Sequence, residues 1–192
     1  MVDAEALVRE RLKEHRALAD LLLGSETASA VAAVGTLLVD AFRAGGKLLI
    51  FGNGGSASDA QHIAAEFVGR CTRERRALPA LSLSDGAAAV TAIANDYGYE
   101  HLFARQLDAL AAPGDVAMGL STSGRSVNVL RGLERAGELG AVTVALSGAD
   151  DELMRSAAQV CLAVPSTTPQ RVQETHLLWG HTWAELVEHC IG

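Results

Sequence analysis

The spacing of apolar positions changes character near residue 47. Before it, apolar residues recur at helical spacing: Val8, Leu12, His15, Ala19 and Leu22 form one stripe. That stripe predicts a helix over residues 4–23, closed by Gly24, and a second helix from Ser25 to about residue 44, closed by Gly45 and Gly46. After it, short apolar runs read as strands: KLLIF (47–51), ALSLS (80–84), DVAMGL (115–120), VTVAL (142–146) and VCLAV (160–164). Helical patterns separate them over residues 56–71, 87–95 with 100–110, 126–139 and 150–157. A loop and a last long helix follow residue 165. Apolar strands alternating with helices predict a parallel five-stranded sheet covered on both faces, a three-layer α/β sandwich. The first two helices have no strand to cover, so a helical bundle between subunits is expected for them. No repeat or linker divides the chain. The reading is one domain over residues 1–192, with a helical pair at 1–45 and an α/β core at 46–192.

Composition narrows the function classes. A net charge of −7 argues against a general nucleic-acid surface, which needs a basic face. No apolar run reaches the length of a membrane span. The charged, helical N-terminus does not read as a signal peptide. Cys71, Cys161 and Cys190 are odd in number and lack metal-type spacing, which suits a reducing cytoplasm and a packing role.

Three places carry candidate chemistry. The first is the turn after the first strand, Gly52, Asn53, Gly54, Gly55 and Ser56, where a helix N-terminus gathers backbone N–H groups suited to an anion. Gly52, Gly54 and Ala57 also fit a dinucleotide-binding spacing, although Asp85 comes late for the acidic residue such a site uses. The second is the loop Ser121, Thr122, Ser123, Gly124, Arg125, Ser126, again between a strand and a helix. Ser126 alone would be an ordinary N-cap. Four hydroxyls in six residues point instead to a compact anion site, better sized for a phosphate monoester than for a dinucleotide. The third is His62 and Glu66, one turn apart on one helix face. Taken alone they are a surface pair. Gln173 and His181 on the last helix lie eight residues apart, about 80° around an ideal helix, so their side chains can converge. Two imidazoles, a carboxylate and an amide oxygen make a divalent-metal set in which zinc is favoured. His15 reads as a packing or interface residue, His176 and His189 as packing or surface residues, and His101 has no assigned role. A Ser56–His62–Glu66 hydrolase triad is disfavoured, because all three lie on one helix without a nucleophile-elbow pattern.

With these residues placed, the chain resembles the sugar isomerase (SIS) domain superfamily and, within it, the phosphoheptose isomerase family. The resemblance runs through AGGKLLIFGNGGSASDAQHIAAEFVGR, SLSD, AIANDYGYEHLFARQ, GDVAMGLSTSGRSVNVLRGLERA and RVQETHLLWGH. It implies a flavodoxin-like SIS fold and a homotetramer with the N-terminal helices in its contacts. It also implies isomerisation of D-sedoheptulose 7-phosphate to D-glycero-D-manno-heptose 7-phosphate, in bacterial heptose precursor synthesis. By the same resemblance the sugar phosphate is held by Asn53, Gly54, Gly55, Ser56, Glu66, Arg70, Asn95, Asp96, Ser121, Thr122, Ser123, Ser126 and Gln173. Zinc is held by His62, Glu66, Gln173 and His181, one ion per subunit. A carboxylate and an imidazole on opposite sides of the substrate suit such a conversion, so Glu66 is expected as the base at carbon and His181 as the acid serving the oxygens. A related group of non-enzymatic adaptors that bind the replication initiator DnaA shares the scaffold but lacks the carboxylate at the position of Glu66. An isomerase of another sugar phosphate is a further alternative. Ala57, Arg125 and Gln170 depart from residues usual in the family.

Overall fold

The computed structural model describes residues 2–24 and 26–191. Ser25, the expected start of the second helix, lies outside the described residues. Helix α1 spans Ala4–Leu23 and α2 Thr27–Arg43; the alternating core then runs β1 (Leu48–Gly52), α3 (Gly55–Val68), β2 (Ala80–Ser82), α4 (Ala87–Tyr97), a 3-10 turn (Tyr99–His101) and α5 (Leu102–Leu110). It continues through β3 (Val116–Ser121), α6 (Val127–Glu138), β4 (Val142–Ser147), α7 (Glu152–Ala157), β5 (Val160–Ala163) and α8 (Pro169–Ile191). Every expected strand forms within a residue or two of its place. The differences sit at helix ends. Helix α3 stops at Val68 because Gly69 takes the cap position, its N–H returning to the Ala65 carbonyl. Gly98, at φ +92, turns the chain between α4 and the 3-10 segment.

All strand pairs are parallel, in the order β2-β1-β3-β4-β5. Successive side chains of a strand point to opposite faces, and the two cores follow that rule. Leu48 and Ile50 join Val116, Met118 and Leu120 under α2, α3 and α8, where Phe42, Phe67 and Trp183 complete the layer. Leu49 and Phe51 join Ala117 and Ala145 on the other face, under Phe103, Leu107, Val129 and Leu133 of α5 and α6. Gly119 leaves room for α6, since a Cβ there would come 2.9 Å from Val129 Cγ1.

The strand order places the site. The chain leaves β1 toward β2 on one side, while β3 lies on the other, so the crevice between β1 and β3 is the switch point where such sheets bind ligands. Gly52 pairs with Leu120 in that register. The glycine turn after β1 and the hydroxyl loop after β3 therefore open side by side.

Helix α1 has no buried residue. It is tied to α8 by polar contacts, Arg171 Nη1 to the Arg11 carbonyl at 3.0 Å and His15 Nδ1 to Glu174 Oε2 at 2.8 Å. Val8 and Leu12 of the predicted stripe stay exposed.

Candidate active site

The glycine turn is shaped by one backbone requirement. Gly54 takes φ +57, a region that costs a side-chain-bearing residue, and so lets α3 start immediately after β1. Ser56 N–H donates to the Asn53 carbonyl at 3.0 Å and Ala57 N–H to the Gly54 carbonyl at 3.1 Å. Gly54 and Gly55 are exposed and Ser56 is buried. The Asn53 side chain is locked: its amide exchanges reciprocal bonds with Asn128 at 2.8 and 2.9 Å, and Tyr99 donates its hydroxyl to Asn53 Oδ1 at 2.8 Å. Asn128 and Tyr99 thus tie both neighbouring segments to the turn. Sequence reading missed them, and no spacing could have linked three residues on three elements.

The hydroxyl loop follows β3 directly. Gly124 takes φ +68 with its α-carbon against the Asp150 carbonyl, so the loop is pressed onto the segment after β4. Ser126 occupies the N-cap of α6 but makes no side-chain cap bond. Its hydroxyl instead meets Ser121 Oγ at 2.9 Å, and Ser121 Oγ lies 3.4 Å from Ser123 Oγ. An N-cap role would spend the hydroxyl on the helix; here three hydroxyls converge on one another, leaving the first N–H groups of α6 for an anion. Arg125 turns away to Asp150, Nε to Oδ2 at 2.7 Å.

The third group comes from two helices. His62 Nε2 lies 3.3 Å from Glu66 Oε1 on α3. His181 of α8 brings its Nε2 to 2.9 Å from His62 Nε2, the rings meeting edge-on at 75°. Ligand atoms of all three residues lie within 4.8 Å of one another. Close packing of α3 on α8 makes this possible. A Cβ at Gly180 would come 2.5 Å from Ile63 Cγ1, and the Gln173 amide fills the space a Cβ at Gly55 would take. Gln173 therefore reaches the glycine turn while His181 reaches His62.

The donor set suits a divalent metal. Two facing Nε2 atoms with a carboxylate beside them bring nitrogen and oxygen donors to one point. Zinc takes nitrogen and oxygen ligands at about 2.0–2.2 Å in tetrahedral sites, which sets ligand atoms about 3.3 Å apart, close to the spacings seen. One turn before His62, burial pushes the Asp59 carboxyl up to about 6 against the pull of that histidine, and its Oδ2 has no hydrogen-bond partner.

Not every expected residue joins this group. Asn95 and Asp96 are exposed at the end of α4, where Asn95 Nδ2 donates to Asp96 Oδ1 at 2.8 Å. Arg70 is exposed, its ion partner Glu74 on its own segment at 3.8 Å. His176 is fully buried and faces the Ser147 carbonyl at 3.3 Å, so its packing role holds. His189 is exposed.

Known proteins similar to this chain agree on one family. The SIS domain family model matches residues 15–148. The chain is 50% identical to the phosphoheptose isomerase of Aquifex aeolicus over 158 residues, 82% of this chain and 83% of that one. It is 49% identical to that of Geobacter sp. (strain M21) over 181 residues, 94% of each. The chain belongs to the phosphoheptose isomerase family. Solved structures of phosphoheptose isomerases from Neisseria gonorrhoeae (34% identity, TM-score 0.90, covering 96% of this chain and 98% of that one) and Francisella tularensis (28%, 0.92, 98% and 100%) share the fold.

Proposed function

We propose that the protein interconverts D-sedoheptulose 7-phosphate and D-glycero-D-manno-heptose 7-phosphate in heptose precursor synthesis. The observation that carries this reading is the meeting of His181 with His62 and Glu66 beside the switch-point crevice. Ketose-to-aldose conversion removes a proton from C1, passes through a cis-enediol and returns a proton to C2, while the O1 proton is lost and O2 gains one. Two acid–base groups on different elements suit those two transfers. Glu66 takes the proton from C1 and delivers it to C2. His181 moves the proton between the oxygens. Residues 121–126 and the first turn of α6 bind the phosphate, and Asn53, held by Asn128 and Tyr99, faces the sugar beside Gly54, Gly55 and Ser56. Gln173, Asn95, Asp96 and Arg70 complete the sugar contacts in this reading.

His62, Glu66, Gln173 and His181 would hold one zinc ion, which as a Lewis acid supplies polarisation of the sugar carbonyl. The chain acts as one SIS domain over residues 1–192, in the cytoplasm, where its three free cysteines remain reduced. No single helix among the described residues is long and apolar enough to cross a membrane. The exposed Val8 and Leu12 of α1 support assembly into a tetramer through the N-terminal helices. Retained Glu66 counts against a non-catalytic adaptor.

Incubating the purified, zinc-loaded protein with sedoheptulose 7-phosphate and following the sugar by NMR tests the reading. Aldose heptose 7-phosphate should accumulate to equilibrium. No aldose product would overturn it.

A further inference from the structure

Beyond the end of α3 the chain does something the reaction does not obviously need. The Glu188 side chain on α8 is fully buried and accepts hydrogen bonds from three consecutive backbone N–H groups, Cys71 at 2.7 Å, Thr72 at 2.8 Å and Arg73 at 2.9 Å, and from the Thr72 hydroxyl at 3.0 Å. Burial alone would raise its pKa, but the Thr72, Cys71 and Arg73 donors outweigh it and hold the carboxyl at about 2. Arg75, its side chain equally buried, stands 3.6 Å from Glu188. Its guanidinium donates to the Glu66 carbonyl at 2.6 Å and to the Gly69 carbonyl at 2.7 Å. These are among the carbonyls that the end of a helix leaves without intrahelical partners.

The contacts join the two halves of the site. Glu66 lies in the last turn of α3, and Arg75 holds its backbone carbonyl. Cys71 is held by Glu188 through its N–H, and burial and the nearby Glu66 carboxylate push its thiol up to about 11. Glu188 lies two turns along α8 from His181, on the helix that also carries Gln173. The α3–α8 pair is therefore fixed at three levels: Gln173 on Gly55, Gly180 on Ile63, and Glu188 on the segment after α3. The first two are contacts of shape. The third is a buried ion pair with directed hydrogen bonds, and breaking such a pair is costly because it strands a charge. Fixed hydrogen bonds of this kind orient a functional side chain far better than apolar contact does.

We propose that Glu188 and Arg75 are positioning residues for the isomerisation: the clamp they form sets where Glu66 stands relative to His181. Neither touches substrate. Because the inference rests on the isomerase reading, its test carries two readouts, turnover and zinc affinity.

Arg75→Met and the charge-preserving Arg75→Lys, which lacks the planar fork whose two nitrogens reach the two carbonyls, are compared with the wild-type protein. Turnover of sedoheptulose 7-phosphate is measured over a range of concentrations, and zinc affinity by competition with a chelator. Displacing a reacting group by about 1 Å costs on the order of 10²-fold in rate, and loss of a ligand's supporting bonds about 10- to 100-fold in metal affinity. In Arg75→Lys, kcat should fall by about 10²-fold, KM should change by less than about threefold because the hydroxyl loop is untouched, and zinc affinity should fall about tenfold. In a Glu66→Gln background, adding Arg75→Lys should lower residual turnover no further. Wild-type kcat and zinc affinity in Arg75→Lys would overturn the clamp, as would a variant that is merely less heat-stable. If the wild-type protein does not isomerise the sugar, the functional reading fails on its own. Zinc affinity then decides the clamp: a fall in Arg75→Lys supports it and no change overturns it. Should Arg75→Met fail to fold, Arg75→Lys and Thr72→Ala, which removes only one of the donors to Glu188, give the same comparison.

Discussion

The hydroxyl loop and the His62–Glu66–His181 cluster, the two halves of the proposed site, are built in opposite ways. The loop is contiguous. Its strand, its positive-φ glycine and the helix behind it lie within residues 116–138, so local chemistry makes it. The cluster depends on a side chain more than a hundred residues away, and it exists only where α3 and α8 pack closely enough. Damage to the loop should therefore weaken binding, and damage to the helix pair should slow the chemical step.

The largest effects should come from the cluster itself. Glu66→Gln and His181→Gln should each lower kcat by about 10²–10⁴-fold, the range ascribed to positioned acid–base groups, while sugar-phosphate binding by calorimetry persists. Turnover within threefold of wild type in either variant would contradict the assigned roles. Next comes the packing that assembles it. Gly180→Ala drives a Cβ into Ile63; overpacking costs about 1–3 kcal/mol, of which the helix propensity of alanine returns about 1 kcal/mol. Stability should fall by no more than about 2 kcal/mol and kcat should fall by about 10²-fold. Equal losses of stability and rate would mean that Gly180 matters only to folding.

The loop should respond differently. Ser123→Ala removes one hydroxyl, worth about 1 kcal/mol of hydrogen bonding, so KM should rise about fivefold with kcat nearly unchanged. An unchanged KM would move the phosphate elsewhere. The smallest effect on turnover concerns His176, buried on α8, whose contribution is read in stability instead. Burial pulls its pKa from 6.5 down to about 4, partly offset by the Ser147 carbonyl. The folded protein thus keeps it neutral where the unfolded chain protonates it. Its contribution is complete above pH 6.5 and is lost as pH falls toward 4, a difference of about 3 kcal/mol. His176→Gln should flatten the fall in unfolding free energy between pH 6.5 and 4, and an unaltered slope would show that other groups carry it.

The same contrast explains what could be read from the chain. Strand positions, the parallel sheet and the hydroxyl loop follow from periodicity and local turn chemistry, so they were legible. Ser126 was placed correctly but its hydroxyl was ambiguous, because a cap and an anion site use the same residue at the same position. His62 and Glu66 were legible as a pair, and His181 as their partner only through the helical spacing that let it converge with Gln173. Tyr99, Asn128, Arg75 and Glu188 were not legible. Each acts through a partner on another element, and a single sequence carries no record of which elements touch. The end of α3 is three residues earlier than expected because Gly69 takes the cap, and Glu188, on α8, then binds the backbone of residues 71–73, a contact no local pattern marks.

In the proposed isomerase α3 and α8 contribute to one catalytic unit. Groups that act as a unit are strongly non-additive when removed. The decisive measurement is turnover of sedoheptulose 7-phosphate by Glu66→Gln, His181→Gln and the double variant under the same zinc-loaded conditions. The double variant should be no more than about threefold slower than the slower single variant. A double variant whose loss equals the product of the two single losses would contradict a shared site.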